Sequence, residues 1–159
     1  PEKIQEILDA FYKEYRYLLN SLYSPKINSE NFIENLIEFC EKLNQLTENN
    51  IKHQFSLDSA DLEQKKCVHI YRIISELTTN AIKYSKASEI KIKMHKEEKE
   101  QIILSIKDNG IGFNKETVDK NAYGLKNIKE RVQQINGSIN IESTKNIGTS
   151  ITIKIPQNA

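Results

Sequence analysis

The stretch DNGIGF (108–113) decides the fold, because it places two glycines directly after an alternating apolar segment that predicts a strand. Two other stretches carry glycine at predicted junctions: YGLKNI (123–128) opens a helical pattern, and GTSITI (148–153) opens the last strand. Four of the five glycines in the chain lie in these three stretches. Since glycine lets a backbone turn sharply or approach a ligand closely, the distribution predicts a ligand-facing rim. The glycines of the rim are Gly110, Gly112, Gly124 and Gly148.

The segments around these stretches alternate between apolar and polar residues, which predicts strands with one buried face. EIKIKMHK (89–96) and QIILSIKD (101–108) are joined by a charged turn, and SINIEST (138–144) and TSITIKI (149–155) form a second hairpin. A fifth segment, IKHQFSL (51–57), stands between two helical patterns. This succession predicts an α/β two-layer sandwich, in which a five-stranded mixed sheet carries helices on one face.

The helices of the sandwich are indicated by apolar residues at helical spacing. One runs to about Ser85 and is apolar around much of its circumference, so we expect it to be central, with Asp61 as its N-cap. Asn28 and Ser29 are expected to cap the helix that follows them, and a further helix is predicted over 124–136.

Residues 2–24 form a separate helical pattern with a heptad seam, which Pro25 ends. Either this helix packs on its own domain, or it joins an intermolecular helical bundle. The seam runs the whole length of the helix, which favours the bundle and a homodimer. We therefore expect a dimerisation-type helix over 1–25 and a globular domain over 28–156. The seam consists of Ile4, Leu8, Phe11, Tyr15, Leu18 and Leu22, and Ile7 and Leu19 widen it.

Composition and charge argue against several classes of function. A net charge of +1 gives no reason to expect direct binding of nucleic acid or of a membrane surface. No apolar run approaches the ~20 residues of a membrane span. Cys40 and Cys67 lie far apart in helical patterns and are expected to be buried free thiols. Because the chain opens at Pro1, we expect a cytoplasmic piece of a longer protein, with any membrane anchor outside it.

Taken together, ELTTNAIKYS (76–85), DNGIGF, YGLKNI and GTSITI resemble the N box, the two glycine boxes and the terminal GT motif of sensor histidine kinase catalytic domains. They occur in the family's order on the predicted elements, and the resemblance covers about residues 30 to 156. The short spacer 113–123 and the segment GLKNIKERVQQINGSINIES (124–143) are similar to the nitrate-sensor and desaturase-thermosensor type. The resemblance implies a Bergerat-type ATP-binding fold, which gyrase, mismatch-repair and heat-shock-chaperone ATPases share.

The resemblance implies that ATP is the ligand and that Asp108 accepts a hydrogen bond from the adenine amino group, which selects adenine over guanine. Thr149 is expected to direct its hydroxyl to Asp108 or to a water on adenine, and Tyr84 is expected near the nucleotide. Gly110 and Gly112 let the backbone pass close to the base.

At the phosphate end, the resemblance assigns Asn80 to Mg²⁺, which takes few protein ligands and keeps waters. Glu76, one helical turn earlier, is expected to order or activate groups near the γ-phosphate. Lys83 and Lys126 could reach phosphate oxygens. Taken alone, a glutamate such as Glu76 is more often a solvated charge, and either lysine could equally be a surface residue.

The second glycine box is expected to face the triphosphate. Gly124 begins a helix, whose N–H groups and dipole attract anions. Leu125 belongs to the same box, the polar stretch 114–123 is expected to act as a lid, and Gly148 completes the set.

The histidines depart from the family's pattern, in which the acceptor histidine lies on the first helix of a two-helix hairpin. His53, His69 and His95 are predicted in a strand, the central helix and a strand, so none of them matches. The helix over 2–24 therefore resembles the second helix of that hairpin.

The function implied by the resemblance is transfer of the γ-phosphoryl group of MgATP to a histidine upstream of this sequence, for relay to a response-regulator receiver domain. Two alternatives use the same fold. One is another ATPase, such as an anti-sigma-factor-like serine kinase or a gyrase-like hydrolase, and the other is a non-catalytic nucleotide-binding module.

Overall fold

The computed structural model describes residues 2–22, 26–58, 62–98, 100–114 and 125–157, and within the first helix it describes the side chains of residues 2–12 and 15. Asp61, Gly124 and nearly all of the expected lid lie outside the described residues. The elements are α1 (Glu2–Leu22), α2 (Phe32–Leu46), β1 (Asn50–Ser56), α3 (Gln64–Tyr84), β2 (Glu89–Glu97), β3 (Gln101–Asp108), α4 (Leu125–Gln134), β4 (Ser138–Thr144) and β5 (Gly148–Pro156).

The five strands form one mixed sheet in the order β1–β2–β3–β5–β4, which confirms the predicted fold class. β1 runs parallel to β2, and the other neighbouring pairs are antiparallel. Along β2, Ile90, Ile92 and Met94 are buried, whereas Lys91 and Lys93 between them are exposed. This period of two gives the sheet one face in the core and one in solvent.

The pairing register brings the ends of three strands together at one end of the sheet. Asp108, the last residue of β3, lies opposite Thr149 of β5. Thr149 lies in turn opposite Ser143 of β4. Because β5 runs between β3 and β4, Thr149 is flanked by polar side chains on both sides.

The helices pack on the buried face of the sheet. In α3, Ile70, Ile73 and Ile74 are fully buried, as expected of a central helix, and each contributes about 2 kcal/mol of hydrophobic stabilisation. α4 adds Ile128 and Val132 to the same core. The arrangement is a two-layer sandwich.

Both predicted helix caps are wrong. Asn28 Oδ1 accepts hydrogen bonds from the backbone N–H groups of Glu30 and Asn31, which closes a turn and delays α2, whose N-cap is Asn31. The N-cap of α3 is Glu63, which has an extended backbone. Leu62 before it is buried in a bend, so burial of this side chain shifts the helix start beyond the position that Asp61 would cap.

Helix α1 contacts the domain through one residue of its predicted seam and exposes other apolar side chains of its first half. Tyr15 packs against the core, and Asp9 forms an ion pair with α3. The apolar side chains Ile4, Ile7, Leu8 and Phe11 remain between 43% and 68% exposed. Within the described residues, no helix has the length and apolar character needed to cross a bilayer.

Cys40 and Cys67 are buried free cysteines, as expected. Burial raises the pKa of the Cys40 thiol to about 12 and that of Cys67 to about 11, so both stay protonated and unreactive at neutral pH.

Candidate nucleotide-binding site

A cavity of about 320 Å³ opens between α3, the loop after β3 and the first residue of α4. This volume lies at the lower end of the range of about 300–1,000 Å³ that is typical of small-molecule pockets. Leu77, Ile106 and Ile151 give it an apolar lining suited to a flat ring. Six residues predicted for nucleotide binding line the same cavity: Asn80, Tyr84, Asp108, Gly112, Leu125 and Thr149.

Asp108 is the buried carboxylate of this cavity, with 8% of its surface exposed. Its Oδ1 accepts a hydrogen bond of 2.9 Å from the backbone N–H of Gly110, and the backbone N–H of Thr149 also donates to the carboxylate. Burial raises the pKa of Asp108 above its ordinary value, although these two hydrogen bonds oppose the rise. The carboxylate is therefore held in a fixed orientation at the cavity wall.

The loop after β3 is fixed between α3 and the β4–β5 turn. The backbone N–H of Ile111 donates to the carbonyl oxygen of Ser85 at 2.7 Å. Gly110 approaches Ser85 so closely that a Cβ would clash with the same carbonyl. Gly112 has a φ of +56°, and a Cβ there would clash with the carbonyl oxygen of Thr144. Both positions therefore need glycine.

The Thr149 hydroxyl has a partner that the sequence analysis did not name. The hydroxyl lies 2.8 Å from the hydroxyl of Ser143, while the backbone N–H reaches Asp108. Ser143 is thus a residue that the sequence analysis missed. Its signal was a polar residue at an inward position of β4, directly across the predicted hairpin from Thr149.

The other α3 residues lie at different depths. Asn80 is half-buried and Tyr84 is 41% exposed, and both line the cavity. Glu76 is half-buried one turn before Asn80, outside the cavity lining.

Lys83 is directed at α1. Its ammonium group lies 3.4 Å from Asp9 Oδ1, 4.8 Å from the centre of the Tyr84 ring and 5.6 Å from that of Tyr12. Desolvation lowers the pKa of Lys83, but hydrogen bonds and charge interactions with Tyr84 and Asp9 together raise it by more than that. The net shift of the pKa is therefore upward. This contact could not be predicted from local sequence patterns, because it joins residues that are far apart in the chain.

The remaining predicted residues are dispersed. Gly148 begins β5 beside Asp108, so closely that a Cβ would clash with the Asp108 carbonyl oxygen. Lys126 is exposed on the first turn of α4, outside the cavity lining. His53, His69 and His95 lie on β1, α3 and β2.

Comparison with known proteins identifies the family of this domain. Residues 65–159 match the family described as "Histidine kinase-, DNA gyrase B-, and HSP90-like ATPase". The sensor histidine kinase YdfH of Bacillus subtilis (strain 168) is 44% identical over 97 residues, which are 60% of this chain and 24% of that protein. The sensor protein VraS of Staphylococcus epidermidis (strain ATCC 12228) is 29% identical over 147 residues, 91% of this chain and 41% of that protein. The chain therefore spans less than half of either relative.

Solved structures share the fold. The histidine kinase domain of the blue-light activated kinase EL346 from Erythrobacter litoralis superposes with a TM-score of 0.68 at 18% identity, covering 79% of this chain and 61% of that one. For the Acinetobacter baumannii histidine kinase AdeS, the TM-score is 0.62 at 19% identity, with 94% and 77% coverage. The chain belongs to the histidine kinase-, DNA gyrase B- and HSP90-like ATPase family, and its domain is of the kind that sensor histidine kinases carry.

Proposed function

We propose that this chain binds MgATP in the cavity and is the catalytic domain of a two-component sensor histidine kinase. The observation that carries the proposal is that Asp108 and Asn80 line one cavity. A buried carboxylate suited to an adenine amino group and an amide suited to a magnesium ion thus face the same space.

In this proposal the base lies against the apolar lining, and its amino group donates a hydrogen bond to Asp108. Asn80 supplies one oxygen ligand to Mg²⁺, and phosphates and water supply the others. The described residues fit such a site, because Asn80 lines the cavity and its side-chain amide offers an oxygen ligand. When bound, the ion neutralises charge on the phosphates. Glu76 orders or activates groups near the γ-phosphate, and Lys83 and Lys126 contact phosphate oxygens.

The phosphoryl group would pass to a histidine outside this sequence and then to an aspartate of a response-regulator receiver domain. The exposed side chains Ile4, Ile7, Leu8 and Phe11 support a homodimer through α1, because apolar patches of this kind mark association surfaces. We place the domain in the cytoplasm, with membrane attachment only through other parts of the full-length protein.

The proposal is tested by incubating this chain, and a longer chain that restores an upstream histidine-bearing helix, with γ-labelled ATP. Only the longer chain should become labelled, with phosphate that is labile in acid and stable in base. Acid-stable phosphate on a serine would favour the serine-kinase alternative, and robust labelling of His53, His69 or His95 in the shorter chain would contradict the proposal.

A further inference from the structure

The hydroxyl of Ser143 lies behind the cavity wall, where three polar groups surround it. The backbone N–H of Phe113 donates to Ser143 Oγ at 2.9 Å. The carbonyl oxygen of Gly148 lies 3.3 Å away, as an acceptor for the Ser143 hydroxyl hydrogen. The hydroxyl oxygen of Thr149 lies 2.8 Å away, and this contact alone leaves the donor open. Ser143 itself does not line the cavity, whereas Thr149 does.

The donor in that contact follows from the number of hydrogens. A serine hydroxyl has one hydrogen and two lone pairs. Ser143 uses one lone pair for Phe113 and its hydrogen for Gly148, so the second lone pair is what remains for Thr149. All three contacts are made together when Thr149 donates to Ser143. The hydroxyl oxygen of Thr149 then has only lone pairs to offer to the cavity.

We infer that Ser143 is a positioning residue that holds Thr149 as a hydrogen-bond acceptor, so that Thr149 and Asp108 together select a purine with an amino group at carbon 6. The inference rests on the proposed function and identifies what sets the choice of base. The Asp108 carboxylate and Thr149 face the cavity beside each other. Two acceptors suit the amino group of adenine and disfavour the carbonyl group that hypoxanthine carries at the same position.

The experiment compares dissociation constants for MgATP and MgITP by calorimetry in the wild type and in Ser143→Ala. ITP is the suitable probe because it replaces the amino group with a carbonyl. In Ser143→Ala the Thr149 hydroxyl is released, so it can turn its hydrogen towards the cavity and donate to that carbonyl. We expect the preference for ATP over ITP to fall about five-fold, the effect of one hydrogen bond.

Three further variants separate positioning from general damage. Ser143→Thr keeps the hydroxyl and should keep the preference. Ser138→Ala removes an exposed serine from the same strand and should leave both constants unchanged. Thr149→Val removes the acceptor in a similar shape and should lower the preference as Ser143→Ala does, which provides the test if Ser143→Ala fails to fold. Adding Ser143→Ala to Thr149→Val should then change the preference no further.

The outcomes distinguish this inference from the proposed function. A wild type that binds no ATP would overturn both. A wild type that prefers ATP, with the same preference in Ser143→Ala or in Thr149→Val, would overturn the role of Ser143 alone and leave the ATP site standing.

Discussion

The ammonium group of Lys83 lies 3.4 Å from the carboxylate of Asp9, and this ion pair joins α1 to the helix that lines the nucleotide cavity. Lys83 is only 16% exposed, and it also lies against Tyr84 at the mouth of the cavity. A phosphate bound there would draw the same ammonium away from α1. Nucleotide binding and the docking of α1 should therefore oppose each other reciprocally.

Substituting Asp9→Asn should release Lys83 and strengthen the binding of MgATP. Because the Asp9 carboxylate is about half exposed, the pair is worth at most about 1 kcal/mol, so the gain should not exceed about five-fold. Calorimetry gives the constant. Glu6→Gln removes the same charge from an exposed position of α1 and serves as the control. Equal affinity in Asp9→Asn and Glu6→Gln would show that Asp9 does not restrain Lys83.

Asn80→Ala should weaken magnesium-dependent binding of ATP at least ten-fold while changing the melting temperature little. The reason is that Asn80 is half-buried at the cavity, so loss of its amide removes a ligand of the ion but leaves no void in the core. Loss of a partner at a metal site typically weakens binding about ten-fold or more. The comparison is made by calorimetry with Mg²⁺ and with EDTA. Asn35→Ala on α2 is the matched control. If Asn80→Ala unfolds the domain, Asn80 is a structural residue and the metal assignment is wrong.

The burial of Asp108 predicts an unusual dependence of stability on pH. Because its pKa is raised in the folded state, native protein binds this proton more tightly than unfolded protein does. Its contribution to the free energy of unfolding therefore falls as pH rises from about 4 through the folded pKa. Asp108→Asn cannot ionise, so its melting temperature should rise relative to that of the wild type as pH increases from about 4 to 7.

Circular dichroism melts at a series of pH values measure this difference. Glu142→Gln, an exposed position on β4, should follow the wild type. A constant difference between Asp108→Asn and the wild type at all pH values would mean that Asp108 carries no burial penalty.

The exposed apolar side chains of α1, which are Ile4, Ile7, Leu8 and Phe11, should mediate self-association. Ile7→Glu places a charge at a side chain that is 68% exposed, so it should turn a dimer into a monomer without unfolding the domain. Sedimentation velocity gives the mass. Ile147→Glu changes an isoleucine that is 70% exposed in the β4–β5 turn, and it should leave the dimer intact. A wild type that is monomeric at all concentrations would refute the homodimer.

The sheet could be predicted well because its signals are local. Alternation and flanking turns predicted β3 and β4 with the observed bounds, and the expectation from the family resemblance that Thr149 lies near Asp108 agrees with their pairing across β3 and β5. The fold class followed from the order of these elements.

What escaped prediction depends on tertiary contacts. The N-cap of α3 is Glu63 rather than Asp61 because Leu62 is buried. The residues around Leu62 are mostly charged, so the sequence did not indicate that this side chain would be buried. The partner of the Thr149 hydroxyl, Ser143, required the hairpin register. Lys83 was expected at phosphates, yet its partner in the structure, Asp9, lies on α1 and is separated from α3 by one helix and one strand, α2 and β1.

The central claim, that the cavity recognises adenine through Asp108, is tested most directly by titrating the wild type and Asp108→Asn with MgATP and MgGTP. Asparagine keeps the shape of the side chain but adds hydrogen-bond donors next to the base. The wild type should bind ATP in preference to GTP, and Asp108→Asn should lose that preference together with most of its affinity for ATP. Equal binding of ATP and GTP by the wild type, or an unchanged preference in Asp108→Asn, would contradict the account.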